Sequence, residues 1–520
     1  MRNLSLFLVF IIFINGASCD RDKRVTVNTH QQISPVLVGK SANPVLRIAV
    51  EIDSTGQSVS SLSVNTKGTT DLSDINQIAV FYTGTDSTFN TDQPFGQPQQ
   101  PEKSLRFSGK QSLQPGTNYF WVSYTLNSGI NLLNRVDAGL DALKLSGGVE
   151  IVPGNGSPSG AKKVGIALRQ RGEDDVHTYR IPGLVTTNKG TLIAAYDIRY
   201  ESSADLQGDI DVGINRSTDG GRSWEPMQVI MDMDEWGGLS EDQNGVGDPS
   251  ILVDEQTGTI WVAGLWTHGM PGQRAWNASG TGLEPSETGQ FVLVKSEDDG
   301  KSWSEPINIT KQIKKPEWQL LLQGPGKGIT MSDGTLVFPA QFKDEEEMPY
   351  STIIYSKDHG QSWDIGTGAK SNTTEAQVAE LSDGSLMLNM RDNRGGARSV
   401  YTTDNLGKTW QKHPTSREAL IEPVSQASLI QFPAPQDTSS KHWLMFSNPH
   451  STEARKNMMI QLSTDDGMSW PDGKQLLLNE NEGYGYSCMT VANDSTVGIL
   501  YEGVRELYFQ KATLDELESQ

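Results

Sequence analysis

Two cysteines, Cys19 and Cys488, are all that 520 residues contain. With Cys19 at the end of a leader-like segment, the mature chain can build neither an intrachain disulfide nor a cysteine-ligated metal site. Histidine is equally scarce at seven, and no Asp-x-Asp-x-Asp-Gly run has calcium-loop spacing. No metal and no cofactor is therefore implied. Basic residues are outnumbered, 43 Lys and Arg against 64 Asp and Glu, for a formal charge of −21. Such a balance argues against nucleic acid as a partner, since a phosphate backbone would go unneutralised. No obligate protein partner is implied either. An anionic substrate would need a local cationic pocket working against the overall field.

Long apolar runs are also missing. Leu4 to Ile14 is eleven residues long, about half of the ~20 that span a bilayer. Placed after Arg2 and before Gly16-Ala17-Ser18, it reads as a signal peptide over residues 1–19. The chain is thus expected to be exported to the periplasm, the cell surface or the medium. Cys19 either becomes a lipidated N-terminus or lies beside an ordinary cleavage site.

What is abundant is turn-forming sequence. The 52 glycines and 24 prolines, with 35% hydrophobic residues, suit a soluble all-β protein. The length predicts two domains. In residues 20–152, Leu46, Ile48, Val50 and Ile52 alternate with Arg47, Ala49 and Glu51, as a half-buried strand requires. Ile78 to Tyr82 and Tyr119 to Leu126 are further strands, and a small two-sheet β-sandwich is expected. Residues 153–160, Pro-Gly-Asn-Gly-Ser-Pro-Ser-Gly, have no large apolar side chain to bury and read as a linker.

Residues 161–520 carry a repeat. Its copies are Ser217-Thr-Asp219-Gly-Gly221-Arg-Ser223-Trp224, Ser296-Glu-Asp298-Asp-Gly300-Lys-Ser302-Trp303, Ser356-Lys-Asp358-His-Gly360-Gln-Ser362-Trp363 and Ser463-Thr-Asp465-Asp-Gly467-Met-Ser469-Trp470. A looser copy, Thr402-Thr-Asp404-Asn-Leu-Gly407-Lys-Thr409-Trp410, carries one inserted residue. Successive aspartates lie 79, 60, 46 and 61 positions apart, about one four-stranded propeller blade with variable loops. Ser, Asp and Gly build a tight hairpin turn, and the Trp packs between neighbouring sheets. The boxes are read as scaffold, and a six-bladed β-propeller is expected.

These boxes resemble the Asp-boxes of the bacterial exo-alpha-sialidase (neuraminidase) family, and Tyr179-Arg180-Ile181-Pro182 resembles its Phe/Tyr-Arg-Ile-Pro motif. The resemblance spans roughly residues 165 to 510. It implies a retaining sialidase acting on sialylated oligosaccharides, glycoproteins or glycolipids. Sialic acid bears a carboxylate on its anomeric carbon, which clustered arginines clamp better than lysines. Arg180, Arg391 and Arg455 match the family's three arginines, with Arg394 a near neighbour of the second. Attraction at a few Å inside a partly desolvated pocket outweighs screened repulsion from carboxylates beyond about 8 Å.

The resemblance also implies the reacting groups. A carboxylate nucleophile would be repelled by the substrate's own carboxylate, whereas a neutral phenol would not, and sialidases are known to use tyrosine. Tyr486, in Gly485-Tyr486-Ser487, matches the nucleophile, and Glu375, 16 residues before Arg391, matches its base. Tyr484, expected on the same strand face, and Glu380, expected towards solvent at a strand end, are their rivals. Asp205 matches the mobile-loop general acid, with Asp209 and Asp211 as alternatives, Asp211 on the strand into the first box. Arg199 matches a residue that helps hold the sugar. Asp248, before Pro249, is expected either to contact the sugar's N-acetyl or glycerol parts or simply to make a turn. Transfer to an acceptor other than water would call for an aromatic platform, for which Trp236 and Trp266 are candidates. The sandwich either braces the propeller or binds glycans, and bracing is the preferred reading.

Overall fold

A computed structural model describes residues 25–158, 160–236, 240–267, 274–433, 443–492 and 496–518. The signal peptide expected over residues 1–19, with Cys19, lies outside the described residues.

The alternation at Leu46 to Ile52 does form a strand, Asn43–Ile52, with its even-numbered residues buried. It pairs with Val25–His30 and Gly116–Leu126, and Ile75–Gly84 completes an antiparallel sheet. A second antiparallel sheet orders Glu150–Ile151, Gly139–Leu145, Ser58–Asn65 and Ser104–Ser112. Phe120, Val122 and Tyr124 of one sheet and Leu62, Phe107 and Leu143 of the other belong to one core. The segment after Ile151 is irregular but held, since the Gly156 carbonyl accepts the Leu140 N–H at 2.7 Å.

Six larger sheets follow among the described residues. The strands Thr178–Thr186, Leu192–Arg199, Ile210–Ser217 and Gln228–Met231 form the first. The next begin with Val246–Val253, Leu320–Gln323, Thr373–Glu380 and Ser428–Phe432, each paired in meander order with the strands that follow it. The last combines Ser487–Val491, Val497–Glu502 and Leu507–Ala512 with Lys162–Arg169 from far earlier in the chain. Its edge takes Val36–Val38, in parallel, from the N-terminal module. Arg135–Val136 of that module pairs with Lys162 and Lys163 as well. Several strands, among them Leu192–Arg199, Ile210–Ser217 and Ile260–Trp266, are buried along their whole length, as expected where both faces of a sheet are covered.

The boxes are turns, and each repeats the same bonds. Asp298 accepts Ser302 N–H at 2.9 Å and Ser302 Oγ–H at 2.6 Å, while Gly300 N–H donates to Ser296 Oγ at 2.9 Å. The glycine has positive φ, 78° at Gly300 and 90° at Gly221. A Cβ on Gly221 would lie 2.2 Å from the Phe509 ring, so the turn is pressed against the adjacent sheet. The looser copy is corrected: Thr403 and Asn405, not Thr402 and Asp404, occupy the Ser and Asp places. Thr409 N–H donates to Asn405 Oδ1 at 3.0 Å and Gly407 N–H to Thr403 Oγ1 at 3.0 Å, so no residue is inserted. An amide oxygen accepts these bonds as a carboxylate does, and the expected aspartate misled the register.

Candidate active site

A cavity of about 510 Å³ opens where the loops and bulges at one end of the larger sheets meet. Arg180, Asp205, Asp248, Glu375, Arg391, Arg455 and Tyr486 all line it. Arg199, 1% exposed, lies beneath Asp205 instead. Several of these side chains are aimed by ladder irregularities, a usual role of bulges. The register shifts between Arg180 and Gly183, between Gly247 and Ser250, and between Thr373 and Ala376. At the first two, Ile181 and Asp248 hold φ of 59° and 57°. For a β-branched isoleucine this is strained backbone, which persists only where surrounding bonds impose it.

At the centre, Tyr486 Oη donates to Glu375 Oε1 at 2.5 Å. Arg391 Nη1 donates to Glu375 Oε2 at 2.5 Å and to Tyr486 Oη at 3.0 Å. The guanidiniums of Arg180 and Arg455 lie over the Tyr486 ring, 5.1 and 5.4 Å from its centroid. Burial pushes the Tyr486 phenol upward and Glu375 adds to this, against Arg391, Arg455 and Arg180. The free site therefore holds a neutral phenol already bonded to a carboxylate.

Arg455 is fixed by the carbonyls of Tyr484 and Val424, at 2.9 and 3.0 Å. Arg394 pairs with Asp392 at 3.0 Å and does not line the cavity, which separates it from Arg391. Tyr484 and Tyr486 both precede the strand Ser487–Val491 rather than sharing one of its faces, and only Tyr486 lines the cavity. Glu380 does sit at a strand end, but it is 6% exposed rather than towards solvent. Its carboxylate accepts Ser332 N–H and Oγ–H, at 2.8 and 2.7 Å, and so ties two sheets together.

The Asp205 side chain is 54% exposed and accepts from Arg199 Nη1 at 2.8 Å and Arg180 Nη1 at 3.3 Å. Burial pushes its carboxyl up, but the positive charges of Arg199 and Arg180 outweigh this and hold it below the usual value. Asp248 is raised well above the ordinary carboxylate range by burial and by the charges of Asp197 and Asp205. Asp197 is raised less, because Arg199 clasps it at 2.8 Å and it accepts the Asp248 N–H at 2.9 Å, so of the two carboxyls Asp248 holds a proton more readily. Asp248 thus lies at a bulge inside the strand Val246–Val253 rather than in a turn, with its side chain lining the cavity.

Asp211 lies in the strand Ile210–Ser217, outside the cavity, and accepts from Tyr200 Oη at 2.9 Å. Burial, with the charge of Asp232, pushes its pKa up to about 7 from 3.8. A folded-state value above the unfolded one stabilises the fold at low pH, and that stabilisation is lost as pH rises through about 7. Asp211→Asn is expected to flatten the dependence of Tm on pH between about 4 and 7, scanned by calorimetry. A Tm that still falls as steeply as in the parent would contradict this.

Three features escaped the sequence reading. Glu502, with a fully buried side chain, accepts Arg180 Nε at 3.0 Å, Ile181 N–H at 2.9 Å and Tyr486 N–H at 2.9 Å. One carboxylate thus holds both Arg180 and the backbone of Tyr486. Its signal was a lone carboxylate closing the apolar run Val497 to Tyr501. Asp197, 0% exposed, was passed over because nothing local marks it. The aromatic wall is Trp276, with Arg274 beside it, not Trp236 or Trp266. Trp266 is fully buried, and Trp236 packs edge-on against it at 4.3 Å. Among the described residues no group of three or more His, Cys, Asp or Glu could hold a metal ion.

Comparison with known proteins matches residues 190–499 to a BNR repeat-like domain and residues 24–148 to the N-terminal domain of BNR-repeat neuraminidase. A sialidase of Bacteroides fragilis is 51% identical over 421 residues, covering 80% of this chain and 77% of that one. A sialidase of Clostridium perfringens is 31% identical, over 64% of this chain and 88% of its own. Among solved structures, a Hadza microbial sialidase superposes with a TM-score of 0.89 at 44% identity, covering 94% of this chain and 99% of that one.

Proposed function

We infer, from a chain that belongs to the BNR-repeat neuraminidase family and is an exo-alpha-sialidase, that it cleaves terminal α-ketosidic sialic acids with retention through a sialyl-tyrosine intermediate. The observation that carries this reading is the Tyr486–Glu375–Arg391 unit, a phenol bonded at 2.5 Å to a carboxylate under three guanidiniums. A six-bladed propeller would present it. In favour of that architecture, consecutive sheets contact one another in sequence, and Thr178–Thr186 of the first sheet contacts Ser487–Val491 of the last, so the series returns to its start. The N-terminal sandwich would brace the propeller, as the two strands it lends to the last sheet suggest. Export by the leader would place the enzyme where sialylated glycoconjugates occur, which cell fractionation tests.

In the first step Tyr486 Oη attacks the anomeric carbon, Glu375 takes the phenol proton, and protonated Asp205 gives its proton to the departing glycosidic oxygen. In the second, Asp205 takes a proton from water, the hydroxyl attacks the same carbon, and Tyr486 leaves, recovering its proton from Glu375. Both displacements invert, so the product retains the α configuration. Arg180, Arg391 and Arg455 would hold the substrate carboxylate, whose charge repels a carboxylate nucleophile but not a phenol. Arg199 would orient the sugar through Asp205. Asp248, carrying a proton and facing the cavity, would donate to a hydroxyl or carbonyl of the substrate.

Following sialyllactose isomers by NMR tests the reading. The α anomer should form first, with free lactose released to water. First formation of the β anomer would exclude the sialyl-tyrosine route, and a sialyl transfer product would exclude hydrolysis as the main outcome.

The electrostatics of Asp205 give a second test. In the free site it is ionised, held low mainly by Arg199 and Arg180 against the opposing effect of burial. A bound carboxylate neutralises the arginines, so the Asp205 pKa must rise on binding. Calorimetric titration with a non-hydrolysable sialic acid analogue, in buffers of different ionisation enthalpy, should record proton uptake near pH 5. Asp205→Asn should abolish that uptake, and equal uptake by parent and variant would refute the link.

A further inference from the structure

We propose that Arg398 and Glu422 are a positioning pair that holds the Tyr486–Glu375–Arg391 unit in register without touching substrate. Both side chains are 0% exposed and they pair at 2.8 Å, directly behind the cavity wall.

All five donors of Arg398 are used. Nε donates to Asn389 Oδ1 at 2.7 Å, and Nη1 donates to Glu422 Oε2 at 2.8 Å and to the Ser425 carbonyl at 2.7 Å. Nη2 reaches the Asn389 carbonyl at 3.1 Å and the Glu375 carbonyl at 3.5 Å. A planar fork with five fixed donors can join these strands where lysine cannot. The other oxygen of Glu422 accepts the Asp392 N–H at 2.7 Å, fixing the backbone immediately after Arg391. One guanidinium and one carboxylate thereby connect the strand of the base with the strand of the central arginine.

The short segment after Glu422 extends the connection. The Val424 carbonyl receives Arg455, Ser425 Oγ donates to the Gly485 carbonyl at 3.3 Å, and Gln426 Oε1 accepts the Ser487 N–H at 3.0 Å. The last two flank Tyr486. Val424 holds φ of 54°, a strained value for a β-branched residue, so the segment is fixed at a cost in backbone energy. Stability does not account for the pair, because apolar residues of similar volume often replace a buried ion pair without loss. What such residues could not supply is the set of bonds to the neighbouring strands.

This inference rests on the nucleophile reading above, and its test separates the two. The variant carrying both Arg398→Met and Glu422→Leu leaves no buried charge unpaired, but it orphans the Asp392 N–H and the Ser425 carbonyl, so it should fold with a Tm lowered by several degrees. Its kcat should fall about 10- to 100-fold, the scale of a misplacement near 1 Å, with a smaller rise in KM, because Arg391 and Arg455 belong to the clamp while Glu502 still holds Arg180. Introduced into Tyr486→Phe, the same two replacements should cause no further loss, since they act through the unit that Tyr486→Phe has already disabled. A folded variant with parental kcat, or an undiminished loss in the Tyr486→Phe background, would overturn the proposal. Should the double replacement not fold, Arg398→Lys keeps the charge opposite Glu422 but loses the fork, and it should show the same fall in kcat. Parental turnover by Arg398→Lys would equally refute the pair's role. Full turnover by Tyr486→Phe alone would instead refute the nucleophile reading and leave these bonds unaffected.

Discussion

Tyr486→Phe should bind sialosides nearly as well as the parent and turn them over about 10⁴-fold more slowly or worse, the scale seen when a nucleophile is removed. The phenyl ring keeps its place beneath Arg180 and Arg455, because those contacts are to the ring and not the hydroxyl. Only Oη is lost, and with it the bonds to Glu375 and Arg391 at 2.5 and 3.0 Å. Binding of a carboxylate-bearing inhibitor, measured by calorimetry, should therefore change little while kcat collapses. Mass spectrometry with a fluorinated sialoside that slows the second step should find a sialyl adduct on the parent and none on Tyr486→Phe. An adduct on any residue other than Tyr486 would remove it from the mechanism.

Glu502→Ala is expected to be the most damaging change at a residue that never meets substrate. Its carboxylate is fully buried and satisfies Arg180 and two backbone N–H groups. Removing one partner of a buried ion pair costs about 3 to 5 kcal/mol, because the other charge is left uncompensated. Here the orphan would be Arg180, a member of the clamp, and the strained Ile181 turn would lose the bond that holds it. Thermal unfolding should shift down by several degrees and sialidase activity should drop with it. Glu502→Gln keeps the shape and one acceptor, so it should recover part of the stability and less of the activity. Parental stability in Glu502→Ala would mean that the buried bonds do not hold the site.

How much of this was legible in the sequence depended on where the information lay. The boxes were readable because four short polar residues must recur in a fixed order to close one turn. The fifth copy was misaligned because an asparagine does the aspartate's work, and chemical equivalence hides from pattern matching. The site arginines, Glu375 and Tyr486 were found through family resemblance, and they do meet in one cavity although up to 306 positions separate them. Glu502, Asp197, Arg398 and Glu422 were invisible for a physical reason. Each bonds a group on another strand, even Asp197, whose charge partner Arg199 is only two positions away but whose bond to the Asp248 N–H exists only in the folded ladder. Trp266 and Trp236 show the converse, since a tryptophan in sequence does not reveal which of its faces is covered.

The last large sheet has a further meaning for how the enzyme comes into being. Lys162–Arg169 pairs with Leu507–Ala512, across more than 300 positions, and Val36–Val38 joins the same edge. Tyr486 and Glu502 follow Lys162–Arg169 by more than 300 positions, so the reactive centre cannot assemble until the whole span between them has been made. A nascent polypeptide must keep Lys162–Arg169 waiting without its antiparallel partner until Leu507–Ala512 emerges, which makes for slow folding by topology. Activity should appear in one step, late, when the two ends of the fold meet.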